Sequence, residues 1–158
     1  MQKAKKFIPV IIIAVVVAFA AFALTRPDKA SQDENKAKSS DSNIVSENGV
    51  HTDPTLAIYI KGEKQQIPAN LGLEQGHNPI HTHDANDVVH WEFEGKVTKD
   101  DMKLGKFFEF WGKPFSSTQI FDQTNGPDGK VSMTVNGTPN TEFENYIVQV
   151  NDKIEIRY

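Results

Sequence analysis

The chain has 158 residues, a net charge of −4 at pH 7 and no cysteine. The lack of cysteine excludes a disulfide framework, a thiolate zinc site and a cysteine nucleophile. Residues 51–158 have a net charge of −6 and no cluster of Lys or Arg. This argues against a nucleic-acid-binding protein, because affinity for phosphate backbones comes mainly from such clusters.

Residues 1–24 have the composition of a membrane anchor. Three lysines precede eighteen uncharged, mostly apolar residues at positions 7–24, and about 17 to 25 such residues can span a bilayer. The lysines predict a cytoplasmic N-terminus and an extracytoplasmic remainder of the chain. A cleaved signal peptide is the alternative, because residues 21–23 have the A-x-A form of a cleavage site. Their position inside the apolar run favours the uncleaved anchor.

Residues 25–50 are predicted to be a disordered polar linker. They contain no aromatic residue and mix Ser, Asp, Asn, Glu and Lys throughout. Such a segment cannot bury enough apolar surface to offset the entropy that ordering would cost. We therefore expect the extracytoplasmic domain to comprise residues 51–158, with its first strand at residues 56–60 and a turn at residues 61–64.

A histidine-rich β-hairpin is predicted next, because four of the five histidines lie between positions 77 and 90. A four-residue loop at residues 84–87 would place His81 opposite His90 and His83 opposite Val88. At a strand's period of two, the two faces of this hairpin differ. The polar face carries His81, His83, His90 and Glu92. The apolar face carries Ile80, Val89, Trp91 and Phe93, and it is expected to meet the core.

Residues 98–112 predict the one helix of the domain. Thr98 and Asp101 approximate a capping box, and Gly112 suits a left-handed C-cap. Apolar residues recur at the spacing of one helix face, at Leu104, Phe107, Phe108 and Trp111, and this face is expected to be core. Gly105 would cost about 0.5 to 1 kcal/mol relative to Ala in a helix, which indicates that another element packs closely there.

The C-terminal part predicts further strands and turns. The strands are expected at residues 118–121, 131–135, 146–150 and 153–158, with turns at 125–129 and at Asn136–Gly137. About six short strands with a helix between two groups of them indicate the α+β class.

The run from Val135-Asn136-Gly137 through Tyr146 to residues 151–156 resembles the closing strands of β-grasp domains. In those domains an Asp followed by an alternating apolar strand ends the sheet, and strand pairs flank a single helix. The resemblance implies a small β-grasp-like sheet that packs on one amphipathic helix.

A second resemblance concerns the hairpin and the helix. The segments IHTHD at 80–84, VHWE at 89–92 and LGKFFEFWG at 104–112 resemble a group of exported or membrane-anchored prokaryotic proteins. That group has the pattern H-T-H-D, H-x-E, L-G-x-F-F-x-x-W-G and a later V-N-G. This chain departs from the pattern at Asp87, where the group has Gly, although Asp tolerates a positive φ better than most residues. The resemblance supports the domain boundaries and implies no particular activity.

The histidines predict a divalent-metal site, because imidazole is the commonest metal ligand in proteins. Three imidazoles without thiolates suit Zn²⁺, Cu²⁺ or Ni²⁺, and copper or zinc is the expected cofactor. The predicted ligands are His81, His83 and His90, with Glu92, Asp84 or His77 as the fourth. His51, at the boundary with the linker, is assigned no role.

Two other functions stay open at this point. In the first, the protein is a β-grasp-like module that binds an unidentified extracytoplasmic protein or ligand, its histidines are structural, and Asp84 and Asp87 form the turn. In the second, the protein is a small metal-dependent hydrolase, with Glu92 or Asp84 as general base. The sequence has no nucleophile motif and no phosphate-binding glycine loop, which favours a module that is not an enzyme.

Overall fold

The structure, a computed structural model, describes residues 42–73 and 76–158. The predicted anchor at residues 1–24, and the part of the predicted linker that precedes residue 42, lie outside the described residues. Asn43–Tyr158 form one folded unit. No helix in the described ranges has the length and apolar character needed to cross a bilayer.

The folded unit is mostly β-sheet with one α-helix, which confirms the α+β class. The described residues contain thirteen short strands and one 3-10 helix at Phe143–Asn145 besides α1 at Leu104–Trp111. The strands are β1 (Ile44–Ser46), β2 (Val50–Thr52), β3 (Thr55–Ile60), β4 (Glu63–Gln65), β5 (Ile80–His81), β6 (His90–Phe93), β7 (Val97–Thr98), β8 (Phe115–Ser116), β9 (Gln119–Ile120), β10 (Gln123–Thr124), β11 (Ser132–Val135), β12 (Thr138–Pro139) and β13 (Lys153–Arg157).

A five-stranded sheet has the order β12-β11-β13-β3-β4. Its central strands β13 and β3 are parallel, and all other neighbours are antiparallel. Alternate residues of β3 and β13, Leu56, Ile58, Ile154 and Ile156, are buried, as the period of two requires for a sheet with one face on the core. They belong to the same hydrophobic cluster as the buried face of α1.

The helix begins later than predicted. Its N-cap is Lys103, which makes no side-chain capping hydrogen bond. The predicted cap, Thr98, ends β7 and pairs with Ile44 of β1. The Thr98 N–H and hydroxyl still donate to Asp101 Oδ2, at 2.8 and 2.6 Å. The local motif therefore exists, but strand pairing keeps Thr98 out of the helix.

The rest of the helix prediction is confirmed. Leu104, Phe107 and Phe108 are buried in the core, and Gly112 has the left-handed φ of +67° expected of a C-cap. A Cβ on Gly105 would lie 2.9 Å from the carbonyl oxygen of Glu144 in the 3-10 helix. This is the close packing of another element that the sequence predicted from a glycine inside the helix.

Two further segments differ from the sequence prediction. The predicted linker extended to residue 50, whereas Ile44–Ser46 pairs with β7 and Val50–Thr52 pairs with β6. Residues 146–150, predicted to be a strand, lie outside the sheets. Their backbone instead bonds to the residues around the start of α1, since Leu104 N donates to Tyr146 O and Val148 N donates to Met102 O, at 2.8 and 2.9 Å. In both segments, backbone partners distant in sequence decide the conformation.

Candidate metal centre

A three-stranded sheet with the order β2-β6-β5 carries the histidines. His81 of β5 pairs with His90 of β6, which confirms the first of the two predicted pairs. On the other side of β6, Glu92 pairs with His51 of β2. Directly opposed residues share one face of a sheet, so this sheet places His81 beside His90 and His51 beside Glu92.

The hairpin connection is longer than predicted. Pairing between β5 and β6 stops after His81 and resumes at His90, so residues 82–89 form the connection instead of residues 84–87. Val88 bridges to Thr55 rather than to His83. Thr82 also bonds outside the hairpin, because its hydroxyl donates to Pro68 O at 2.8 Å. The predicted inner pairs are thus replaced by bonds to neighbouring segments.

Asp87 lies in this connection and has a φ of +67°. A glycine would suit this backbone conformation, and the value agrees with the tolerance of positive φ expected of Asp. The Asp87 carboxylate forms an ion pair with Lys64 Nζ. This hydrogen bond and the negative charge raise the pKa of Lys64.

The rings of His77, His81, His83 and His90, here called the histidine cluster, contact one another. The His81 and His90 rings stack, with centroids 5.2 Å apart. The His83 centroid lies 4.8 Å from that of His81 and 4.9 Å from that of His90. The His77 centroid is 4.8 Å from that of His81. The fold therefore brings the rings of all four predicted histidines together, and the ring nitrogens of His77, His81 and His83 are the ones that converge.

His81 is the buried centre of the cluster, with none of its surface exposed. Its Nδ1 lies 2.9 Å from the carbonyl oxygen of Asn78, and because a carbonyl only accepts, Nδ1 carries the proton. The Nε2 lone pair is then available to a metal, as in metal-bound histidines that donate through their other nitrogen. Burial lowers the pKa of His81, which favours the neutral form that a ligand needs.

The nitrogen spacing suits a shared ion. His81 Nε2 lies 3.2 Å from His83 Nε2, and one ring nitrogen from each of His77, His81 and His83 lies within 4.8 Å of the other two. Two nitrogens bound tetrahedrally to one ion at about 2.0 to 2.1 Å are separated by about 3.3 to 3.4 Å. Small side-chain movements would let this group of imidazoles hold an ion.

Asp53 orients His90, a role that the sequence did not indicate. His90 Nδ1 donates to Asp53 Oδ1 at 2.7 Å, which leaves His90 Nε2 unprotonated in the neutral ring. A carboxylate in this position fixes the tautomer and the orientation of a metal-binding histidine. Asp53 follows β2 and precedes His90 by 37 residues, so no local spacing could have revealed the pair.

Glu92 lies in a second group of possible ligands. Its Oε1 is 3.4 Å from His51 Nε2 and 4.0 Å from His90 Nδ1. One ligand atom from each of His51, Asp53 and Glu92 lies within 4.8 Å of the other two, and these three residues are here called the His51 group. The sequence assigns His51 no role, because it lies at the end of the predicted polar linker. Asp84 is exposed in the connection and belongs to neither group.

An open groove of about 820 Å³ joins the two groups, because His51, His77 and Glu92 all line it. The candidate site is therefore accessible from solvent, while its centre at His81 is closed. The chain matches none of the protein-family models, curated proteins or solved structures with which it was compared. A functional proposal accordingly depends on the chemistry of these side chains.

Proposed function

We propose that this protein is a membrane-tethered extracytoplasmic module that binds a divalent copper or zinc ion at the histidine cluster. The observation that carries the proposal is the convergence of His77, His81 and His83, since one ring nitrogen of each lies within 4.8 Å of the other two. His81 and its neighbour His90 also have a hydrogen-bonding pattern that favours a bound ion. Both rings use Nδ1 to donate to a fixed oxygen atom, of Asn78 and Asp53 respectively. Both therefore keep an Nε2 lone pair, which is the atom that a metal would take.

The donor set supports copper or zinc. Imidazole nitrogen suits Zn²⁺ and Cu²⁺, whereas Mg²⁺ and Ca²⁺ prefer sets of oxygen ligands. The carboxylates of Asp53 and Glu92, both close to His90 Nδ1, add negative charge beside the ion. The exported location rests on the composition of residues 1–24, and handling or sensing of the ion is the role that a small tethered module would have.

We also propose that the five-stranded sheet is β-grasp-like. The support is the strand order β4-β3-β13-β11-β12. The first and last of these strands along the chain, β3 and β13, lie parallel at the centre of the sheet. β3 forms an antiparallel hairpin with β4, and β13 lies beside the antiparallel hairpin of β11 and β12. The helix α1 falls between the two hairpins in sequence. In this interpretation β5, β6 and the histidine cluster are an addition between the first hairpin and the helix, and β2, which precedes the first hairpin, completes their sheet.

A second candidate is a β-grasp-like interaction module whose histidines are structural. It is favoured by the 3.2 Å separation of His81 Nε2 and His83 Nε2, which also suits an N–H···N hydrogen bond that needs no ion. The two candidates differ in what they predict for metal. A structural cluster gains nothing from zinc, whereas a metal site is stabilised by it.

The test measures metal content and thermal stability of the full-length protein in detergent, with Zn²⁺, Cu²⁺ or a chelator. The variant is His77→Ala/His83→Ala, because both side chains are exposed and their removal leaves the core intact. The matched control is Asp84→Ala, an exposed neighbour outside both groups. We expect an ion that raises the melting temperature of the parent and of the control but not of the double variant, because a ligand of the native state stabilises it. A parent that neither retains an ion nor gains stability with either metal would favour the structural candidate.

A further inference from the structure

The His51 group is held together by strand pairing and not by chance proximity of surface loops. His51 in β2 lies directly opposite Glu92 in β6. Asp53 follows His51 by two residues, which is the spacing that returns a side chain to the same face of an extended segment. The three side chains therefore converge from two adjacent chain segments whose register is fixed.

Their separations are those of ligands on one cation. His51 Nε2 is 3.4 Å from Glu92 Oε1 and 3.7 Å from Asp53 Oδ2. Atoms bound to one ion at about 2.0 to 2.2 Å are separated by about 3.0 to 3.5 Å when the angle between them is near 90° to 110°. The remaining separation, between an Asp53 oxygen and a Glu92 oxygen, is within 4.8 Å, so small side-chain movements would close the group around an ion.

The negative charges of this group also favour a bound cation. One carboxylate oxygen of Asp53 and one of Glu92 lie within 4.8 Å of each other. Within residues 42–73 and 76–158, their ion-pair partners at 4.0 Å or less are the histidines His51 and His90, not Lys or Arg. Among the described residues, neither carboxylate is therefore paired with a Lys or Arg, and a divalent cation held between them would offset their mutual repulsion.

We propose that His51, Asp53 and Glu92 form a second divalent-cation site beside the histidine cluster. One imidazole nitrogen and two carboxylate oxygens make a harder donor set than a group of imidazoles, so this site suits Mn²⁺. Asp53 links the two sites, because its Oδ1 accepts from His90 Nδ1 while its Oδ2 faces His51. The groove lined by His51 and Glu92 keeps the remaining coordination positions of the ion open to water.

The experiment uses Mn²⁺ as the probe, because Mn²⁺ bound to protein loses the sharp electron paramagnetic resonance signal of the free ion. The full-length protein in detergent is titrated beside three variants. His51→Ala/Glu92→Gln removes two ligands of the second site and keeps the core, since the His51 side chain is 67 % exposed. Glu94→Gln is the matched control, because Glu94 lines the same groove but belongs to neither group. His77→Ala/His83→Ala removes the exposed half of the histidine cluster.

We expect the parent, Glu94→Gln and His77→Ala/His83→Ala to bind one Mn²⁺ each, and His51→Ala/Glu92→Gln to bind it at least tenfold more weakly. Retention of Mn²⁺ by His77→Ala/His83→Ala makes this result independent of the copper or zinc site. The proposal is overturned if the parent takes up no Mn²⁺, or if uptake survives the loss of His51 and Glu92. Circular dichroism of each variant reports whether the overall fold is intact.

Discussion

At the residue scale, the candidate centre depends on which ring nitrogen of each histidine bonds to the protein and which one faces the open site. In both His81 and His90, Nδ1 donates a hydrogen bond to an oxygen of the protein. Asn78 supplies a backbone carbonyl, which no side-chain substitution removes, whereas Asp53 supplies a carboxylate. The orientation of His90 can therefore be tested by mutation without touching any nitrogen that would bind the ion.

Asp53→Asn should weaken zinc binding at the histidine cluster by about 10- to 100-fold, the usual effect of removing a hydrogen-bond partner behind a metal-bound histidine. The amide keeps the shape of the side chain but loses its charge and one acceptor oxygen. Isothermal titration with Zn²⁺ measures the change, with Asp84→Asn as the control for loss of one exposed carboxylate. An affinity equal to that of the parent would mean that Asp53 does not hold His90 in its binding orientation.

A second residue-scale feature is the buried carboxylate of Asp152, which is 3 % exposed. It accepts hydrogen bonds from Asn136 Nδ2 at 2.9 Å and from the Tyr146 hydroxyl and Gln149 N at 2.8 Å each. Burial, together with the hydrogen bond to Asp152 and the negative charge of Asp152, raises the pKa of Tyr146 well above that of a free tyrosine. The hydrogen bonds of this carboxylate thus hold the segment between the 3-10 helix and β13 in place.

The pH dependence of stability follows from that pKa. Above about pH 10, where a free tyrosine ionises, Tyr146 of the unfolded chain loses its proton before Tyr146 of the folded chain. The unfolded state then binds fewer protons, so the free energy of unfolding falls as the pH rises. Tyr146→Phe should lose about 0.5 to 1.5 kcal/mol at neutral pH and show a shallower fall between about pH 9 and 11. Urea unfolding across this range, beside Tyr59→Phe, measures both effects, and an unchanged slope would contradict the assignment.

At the element scale, α1 is positioned by the contact of Gly105 with the 3-10 helix. Gly105→Ala should lower the free energy of unfolding by about 1 to 3 kcal/mol, the usual cost of overpacking, because the new Cβ would meet the backbone of Glu144. The helix preference for Ala, worth about 1 kcal/mol, opposes this loss. Denaturant unfolding decides which effect is larger, and Glu109→Ala on the exposed face is the matched control. A stabilised Gly105→Ala would show that the two helices separate easily.

The same helix shows what sequence reasoning can reach. Its apolar face, its C-cap at Gly112 and the close approach at Gly105 follow from spacings within about two turns of helix, and so does the His81–His90 register within one hairpin. The strands β1 and β2 were missed because their partners, β7 and β6, lie some forty or more residues away along the chain. A polar stretch with few apolar residues gives little local sign of such pairing. His51 and Asp53 were missed for the same reason.

At the scale of the whole molecule, metal binding should make stability depend on pH. Zinc needs neutral imidazoles, so protons compete with the ion. The stabilisation by Zn²⁺ should be full at about pH 8 and should be lost as the pH falls through the region near 6.5, where a free imidazole takes up a proton. Burial lowers the pKa of His81, so this ligand stays neutral further into the acid range than a free imidazole.

Thermal melting with and without Zn²⁺ at several pH values measures this effect. The difference between the two melting temperatures should shrink towards zero at acid pH in the parent and should be small at every pH in His77→Ala/His83→Ala. A zinc effect that is the same at about pH 5.5 and about pH 8 would contradict binding through histidine.

The early position of β1 and β2 in the chain has a mechanical consequence. A pulling force applied from the N-terminal side acts first on Ile44–Ser46, then on Val50–Thr52, and only afterwards on β3 at the centre of the five-stranded sheet. Peeling β2 from β6 would separate His51 from Glu92 and withdraw Asp53 from His90 while the main sheet stayed intact. Tension along the chain would therefore separate these candidate ligands before it unfolded the domain.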